Sequence, residues 1–128
     1  MATPEGSIVS VLIADDDPLV RRVLRMALES QGYEVLEAGD AHEVIAQAQH
    51  RHDLVVLDIN MPGGTVHDTL GGLRELHPEL PILVLSGEAT PPVDLPATHA
   101  DYARKPIELD DLLTRVRRLL EGSVASPP

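Results

Sequence analysis

The chain has 128 residues, the length of one compact domain, and 43% of them are hydrophobic, which is enough for a core. Its 10 Lys and Arg against 21 Asp and Glu give a net charge of −11, which argues against a surface for nucleic acid or for an anionic membrane. The absence of cysteine excludes disulfides and thiolate chemistry, and no apolar stretch approaches the roughly 20 residues that span a bilayer.

The first half of the chain alternates between short apolar runs and stretches of helical periodicity. The run Ile8–Ala14 predicts a buried strand. Asp17-Pro18 predicts a helix start, because Asp can accept from free N–H groups and Pro at the first helical position has no N–H to satisfy. Apolar residues at i, i+3 and i+4 spacing continue this helix towards Gly32. A second strand, Tyr33–Ala38, and a second helix, from residue 40 or 41 to His50, follow.

The second half continues the alternation. Leu54–Leu57 predicts a third strand, and the Pro and Gly content of Met61–Gly64 predicts a loop. The later predicted elements are the helix Val66–Leu76, the strands Ile82–Leu85 and Tyr102–Arg104, and the helix Glu108–Leu120. This order predicts an α/β fold, a doubly wound parallel sheet with helices on both faces. We assign the domain to residues 8–121 and expect flexible termini at 1–7 and 122–128.

Polar residues follow the predicted strands at the point where each strand ends. They are Asp15, Asp16, Asp17, Asp58, Ser86 and Lys105. Because ligands gather at the carboxyl ends of parallel strands, we expect these groups to share one cleft. Crowded carboxylates need a cation, and Mg²⁺ (or Mn²⁺) takes oxygen ligands while keeping waters for an incoming phosphate. The predicted ligands are Asp15, Asp16, Asp58 and the backbone carbonyl of Asn60.

The same cleft contains groups that suit a phosphoryl group. Lys105 offers a mobile ammonium, and Ser86 offers a hydroxyl that can donate to a phosphoryl oxygen. A metal ion and Lys105 would neutralise charge while the Asp58 carboxylate acts as nucleophile. The set therefore predicts phosphoryl transfer to Asp58.

Four motifs in this sequence resemble those of one protein family. They are ADDDP (Ala14–Pro18), LVVLDINMPG (Leu54–Gly63), ILVLSGE (Ile82–Glu88) and DYARKP (Asp101–Pro106). Their order and separations are highly specific, and from Val9 to Glu121 the chain resembles the receiver domain of bacterial response regulators, which act in two-component and phosphorelay signalling. The resemblance implies a flavodoxin-like fold with five strands in the order 2-1-3-4-5.

The resemblance also implies a role for each matching residue. Asp58 corresponds to the phosphoacceptor, and Asp15 and Asp16 correspond to the acidic pair of the metal site, with Asp16 favoured as the direct ligand. Ser86 corresponds to the switch hydroxyl, and Tyr102 to the aromatic residue that turns inward when this hydroxyl moves to the phosphate. The other matches are the main-chain oxygen of Asn60 in the metal site, the lysine Lys105, and a cis peptide bond between Lys105 and Pro106.

Simpler interpretations of some residues stay open. Asp17 suits a helix cap better than a metal ligand, and Tyr102 could pack at a strand edge without switching. Ser86 and Asn60 could each serve only a turn. The six histidines show no convincing ligand spacing and are interpreted as surface residues: His42, His50, His52, His67, His77 and His99.

The segment after the fourth strand departs from the family pattern. Where the family has its fourth helix, this chain has Pro91, Pro92 and Pro96, and an interior proline costs a helix about 3 kcal/mol. We therefore predict that the fourth helix is short or replaced by a loop. Asn60 and Glu88 resemble a pair in the chemotaxis response regulator, and we hypothesise that they modulate loss of the phosphoryl group by orienting water.

Two other classes of protein compete with this interpretation. A phosphatase of the haloacid-dehalogenase type has Asp-x-Asp after its first strand, but here Pro18 follows and Asp58 would have no role. A receiver-like interaction module that is never phosphorylated is the other alternative. We expect a phosphoacceptor that assists its own phosphotransfer and dephosphorylation, and not a conventional enzyme.

The expected partners follow from this function. They are a sensor histidine kinase or histidine phosphotransfer protein upstream, and a protein partner or output domain downstream. We expect a cytoplasmic location, without direct contact with nucleic acid or membrane.

Overall fold

Nine elements make up the part of the chain that the computed structural model describes, residues 8–87 and 99–121. In chain order they are β1 (Ser10–Ala14), α1 (Pro18–Glu29), β2 (Glu34–Ala38), α2 (Ala41–Gln47), β3 (Leu54–Asp58), α3 (Val66–Leu76), β4 (Ile82–Ser86), β5 (Ala100–Arg104) and α4 (Leu109–Glu121). The expected flexible termini, the predicted loop in place of a helix after β4, and Glu88 lie outside the described residues. None of the helices within the described ranges is long and apolar enough to cross a membrane.

The five strands form one parallel sheet in the order β2-β1-β3-β4-β5. The predicted α/β flavodoxin-like fold and its strand order are therefore confirmed. Cα partners such as Leu57↔Val84 and Val84↔Tyr102 align the strand ends across the sheet. Since all strands run in one direction, the carboxyl ends of β1, β3, β4 and β5 lie at the same edge, side by side.

Each face of the sheet buries its own apolar cluster. Val11 and Ile13 of β1 point to the face covered by α1 and α4, where Leu24 and Leu112 are buried. The alternate positions of the same strand point to the opposite face, which α2 and α3 cover. This arrangement follows from the two-residue period of a strand and explains why β3 and β4 are buried at every position.

Three helices begin at side chains that accept from the first free N–H groups. Asp17 accepts from Leu19 N at 2.9 Å and caps α1, with Pro18 as the first helical residue. Asp40 caps α2, and Thr65 caps α3. These caps fix where each helix leaves the loop that follows its strand. Asp17 therefore caps α1, in agreement with its interpretation as a helix cap.

The interpretation of His52 as a surface residue is wrong. Its side chain is buried, with 6% of its surface exposed. Nδ1 lies 3.2 Å from Ser10 Oγ, and Nε2 lies 2.8 Å from the carbonyl oxygen of Gln47. A polar ring can be buried when both nitrogens have partners, and neither partner is visible in the local sequence pattern. His52 therefore joins the end of α2 to the start of β1.

Candidate functional site

Four strand ends bring polar side chains to one edge of the sheet. Asp15 directly follows β1, Asp58 is the last residue of β3, Ser86 is the last residue of β4, and Lys105 directly follows β5. One carboxylate oxygen from each of Asp15, Asp16 and Asp58 lies within 4.8 Å of the others. The structure thus brings together three of the four acidic residues that the sequence assigns to one cleft, whereas Asp17 caps α1.

The three carboxylates differ in exposure. Asp15 is 1% exposed and Asp58 is 4% exposed, whereas Asp16 is open to solvent. Asp15 Oδ1 accepts from the backbone N–H of Asp17 at 2.9 Å, and Asp58 Oδ1 accepts from that of Asn60 at 3.3 Å. Two of the acids are therefore held in buried positions, and the third is exposed to solvent.

Lys105 provides the positive charge beside these acids. Its Nζ lies 3.1 Å from Asp15 Oδ2 and 3.5 Å from Asp58 Oδ2. Its backbone N–H donates to the carbonyl oxygen of Ser86 at 2.6 Å, and the Lys105–Pro106 peptide bond is cis. Burial lowers the pKa of the Lys105 ammonium, but the hydrogen bond to Asp15 and the charges of Asp58 and Asp15 outweigh burial and raise it. Lys105 therefore stays protonated and positively charged at neutral pH.

Asp58 is in an environment that disfavours its ionised form. Burial raises the pKa of the Asp58 carboxyl above its ordinary value of 3.8, and the negative charge of Asp15 raises it further. The Asn60 N–H and the Lys105 ammonium act in the opposite direction without cancelling the rise. One ammonium does not compensate for three crowded acids, so the cleft retains an excess of negative charge.

The chemistry of the donor set fits a hard divalent cation. All three acids offer oxygen, the ligand atom that Mg²⁺ and Mn²⁺ prefer. The excess negative charge makes such a cation stabilising. Within the described ranges, this is the one group of three acidic or histidine side chains arranged closely enough to hold a metal ion.

Ser86 and Tyr102 lie on neighbouring strands behind the acids. Ser86 is fully buried, and Tyr102 is partly buried against the apolar cluster beneath α2 and α3. Tyr102 pairs with Val84, two positions before Ser86 on β4. The two residues are thus close along the sheet, while Asn60 is exposed on the loop after β3.

Sequence reasoning missed Arg21, whose guanidinium reaches the site from α1. Its Nη1 donates to the backbone carbonyl of Asp15 at 2.6 Å, and its Nε donates to Glu37 Oε1 at 2.9 Å. Arg21 lies three and seven residues before the buried Leu24 and Leu28, on the inner side of the helix. A charge at such a position needs a partner, and this was the available signal.

The comparisons with known proteins identify the family. The chain belongs to the response regulator receiver domain family, whose model matches residues 11–117. It is 36% identical over 124 residues to the "Probable transcriptional regulatory protein TcrX" of Mycobacterium tuberculosis, covering 94% of this chain and 53% of that protein. The chain thus spans about half the length of this curated relative.

Solved structures agree with this assignment. The chemotaxis response regulator CheY4 of Vibrio cholerae superposes with a TM-score of 0.80 at 30% identity, covering 88% of this chain and 99% of that one. The response regulator TrrA of Thermotoga maritima, in complex with Mg²⁺ and BeF, superposes with a TM-score of 0.78 at 30% identity, with the same coverage. The chain is a receiver domain of two-component signalling, and membership in this family decides against the phosphatase alternative.

Proposed function

We propose that Asp58 accepts a phosphoryl group from a phosphohistidine, in a reaction that depends on Mg²⁺ (or Mn²⁺). The observation that carries this proposal is the meeting of the Asp15, Asp16 and Asp58 carboxylates within 4.8 Å, with the Lys105 ammonium beside them. The solved structure of the similar TrrA with Mg²⁺ and BeF supports it. A non-phosphorylated module would have no need for this combination.

Each residue has a defined task in the proposed transfer. An Asp58 oxygen attacks phosphorus, the new O–P bond forms, and the P–N bond to the donor imidazole breaks. Lys105 is close enough to pair with the charge that arrives on the phosphoryl oxygens. Asp15, Asp16, Asp58 and the main-chain oxygen of Asn60 would hold the metal ion. When bound, that ion supplies the positive charge that lets a buried carboxylate approach a phosphoryl group.

The switching step is part of the same proposal. Ser86 would donate its hydroxyl to the phosphoryl oxygen, and Tyr102 would move inward on the neighbouring strand. Phosphorylation then biases an equilibrium between two conformations, and a partner reads the favoured one. Ser86 ends the strand next to β3, which places its side chain one strand away from Asp58.

The remaining parts of the proposal concern lifetime and partners. Asn60 and Glu88 would modulate hydrolysis of the acyl phosphate, in which this chain assists its own dephosphorylation. The phosphodonor would be a sensor histidine kinase or a histidine phosphotransfer protein in the cytoplasm. The output would come from a partner or from an attached domain, and the transcriptional role in TcrX's name makes a DNA-binding output one candidate.

Acetyl phosphate with and without Mg²⁺, followed by intact mass, tests this function. We expect one added phosphoryl group in the presence of Mg²⁺, none with a chelator, and none in Asp58→Ala. Glu34→Gln is the control, because Glu34 is exposed at the start of β2, at the edge of the sheet opposite the carboxyl strand ends. Phosphorylation that persists in Asp58→Ala, or that ignores Mg²⁺, would contradict the proposal.

A further inference from the structure

We propose that Arg21 is a positioning residue for the acidic pair. Its guanidinium, oriented by Glu37, binds the main-chain carbonyl of Asp15 and so fixes the turn that carries Asp15 and Asp16. This inference rests on the proposed function, since it assigns Arg21 a part in holding the metal ion without contact with that ion.

Asp15 is fixed at every polar atom of its backbone. Its N–H donates to the carbonyl oxygen of Ala38 at 3.1 Å, at the end of β2. Its carbonyl oxygen accepts from Arg21 Nη1 at 2.6 Å. Its side chain accepts from Asp17 N–H and from Lys105. Of these four contacts, the one from Arg21 is the only one supplied by a side chain of α1, and it holds the peptide that joins Asp15 to Asp16.

Arg21 itself is oriented by a carboxylate on the neighbouring strand. Glu37 Oε1 accepts from Arg21 Nε at 2.9 Å, and Glu37 Oε2 accepts from Arg25 Nη1 at 2.6 Å. The hydrogen bond from Arg25, ahead of that from Arg21, holds the pKa of the Glu37 carboxyl below its ordinary value of 4.5, against the effect of burial. Glu37 therefore stays ionised and keeps the guanidinium plane in one orientation.

The space around the guanidinium is limited. A Cβ at Gly39 would lie 3.0 Å from Arg21 Nη1, so the glycine leaves room for the group that holds Asp15. The Arg21 side chain is 20% exposed. A planar fork that binds a carboxylate through one nitrogen and a carbonyl through another cannot be replaced by the single ammonium of a lysine.

If its role were purely structural, Arg21 would only connect α1 to β2 through its ion pair with Glu37. Arg25 provides the comparison, because it lies on the same helix and binds the same Glu37, but none of its hydrogen bonds reaches the acidic loop. Both arginines connect α1 to β2 through Glu37, but of the two only Arg21 contacts Asp15. A loss of Mg²⁺ affinity distinguishes positioning of the acidic pair from the connection of α1 to β2, whereas a loss of stability is expected for both.

The test is the Mg²⁺ affinity of the full chain, measured by NMR titration of backbone amides without a phosphodonor, with urea unfolding of each variant. We expect Arg21→Ala to weaken Mg²⁺ binding about 10-fold, the lower end of what loss of an outer-shell partner costs a metal site. We expect Arg25→Ala to leave the affinity within about twofold of the wild type, since it leaves the contact with Asp15 in place. Equal affinity in Arg21→Ala, or equal losses in both variants, would overturn the inference.

Two further results keep the inference separable from the proposed function. If Arg21→Ala does not fold, Arg21→Lys decides: a measurable loss of affinity supports the positioning role, and affinity equal to the wild type contradicts it. If the wild type itself binds no Mg²⁺ at millimolar concentrations, the proposed function fails together with this inference. If the wild type binds and both arginine variants bind equally well, only the inference fails.

Discussion

The Lys105 ammonium lies closer to Asp15 than to the proposed phosphoacceptor, 3.1 Å from Asp15 Oδ2 against 3.5 Å from Asp58 Oδ2. In the free protein the lysine therefore pairs with two of the three acids that would hold a metal ion. The ammonium and the divalent cation compete for the same negative charge.

Removal of Lys105 is expected to strengthen metal binding. In Lys105→Ala the competing charge is lost, so the Mg²⁺ affinity should rise several-fold while phosphorylation by acetyl phosphate falls. NMR titration with MgCl₂ measures the first effect and intact mass the second. Arg104→Ala, at the exposed neighbouring position, is the control and should change neither. An unchanged or weaker Mg²⁺ affinity in Lys105→Ala would show that the lysine does not compete.

Neutralising Asp58 is expected to stabilise the fold at neutral pH. The folded-state pKa of Asp58 is raised above the ordinary value of 3.8, so its contribution to stability falls as pH rises from that value through the folded pKa. Asp58→Asn should therefore unfold with a free energy about 1 kcal/mol higher at pH 7 without Mg²⁺, the usual size of a stabilising substitution. The gain should shrink towards pH 3.8, the ordinary pKa of the carboxyl. Urea unfolding across this range measures it, with Glu34→Gln, at an exposed position at the start of β2, as the control. A pH-independent gain would argue against burial and repulsion as the cause.

The stabilisation from the ion pairs of Glu37 with Arg21 and Arg25 is expected to show the opposite dependence on pH. The folded-state pKa of Glu37 is lowered, so its stabilisation is present above the ordinary value of 4.5 and is lost as pH falls through the folded pKa. Glu37→Gln should lower the free energy of unfolding by about 1 kcal/mol at pH 7, and the difference should vanish in acid. Thermal unfolding at a series of pH values provides the measurement. A deficit that persists in acid would show that the charge of Glu37 is not what stabilises α1 on β2.

Tyr102 and Tyr33 are the two aromatic residues of the chain, and they pack on opposite faces of the sheet. With ¹³C-labelled tyrosine, beryllofluoride and Mg²⁺ should shift the Tyr102 ring signals and leave those of Tyr33 in place. Ser86→Ala should still take up the phosphoryl group from acetyl phosphate, but its Tyr102 signals should not shift. If the Tyr102 signals shift equally in Ser86→Ala, the response of Tyr102 does not depend on the Ser86 hydroxyl.

The sequence predicted the features that depend on local pattern and on chain order. Apolar runs predict the strands, and because ligands gather at the carboxyl ends of parallel strands, the sequence also predicts that Asp58 and Lys105 share one cleft. The contacts of Arg21 and His52 could not be predicted in this way, because they depend on partners distant in sequence. The partner is Glu37 for Arg21 and Ser10 for His52. Periodicity shows which face a residue occupies and does not show which polar atom it meets.

Lys105 is the only lysine in the chain, so a label on lysine side chains reports on the phosphoryl site alone. Reductive methylation with ¹³C-formaldehyde labels its Nζ and the N-terminal amine, and the amine provides an internal reference. We expect beryllofluoride to shift the Lys105 dimethyl signal only when Mg²⁺ and Asp58 are both present. A signal that does not respond, or that responds equally in Asp58→Ala, would contradict a phosphoryl site shared by Asp58 and Lys105.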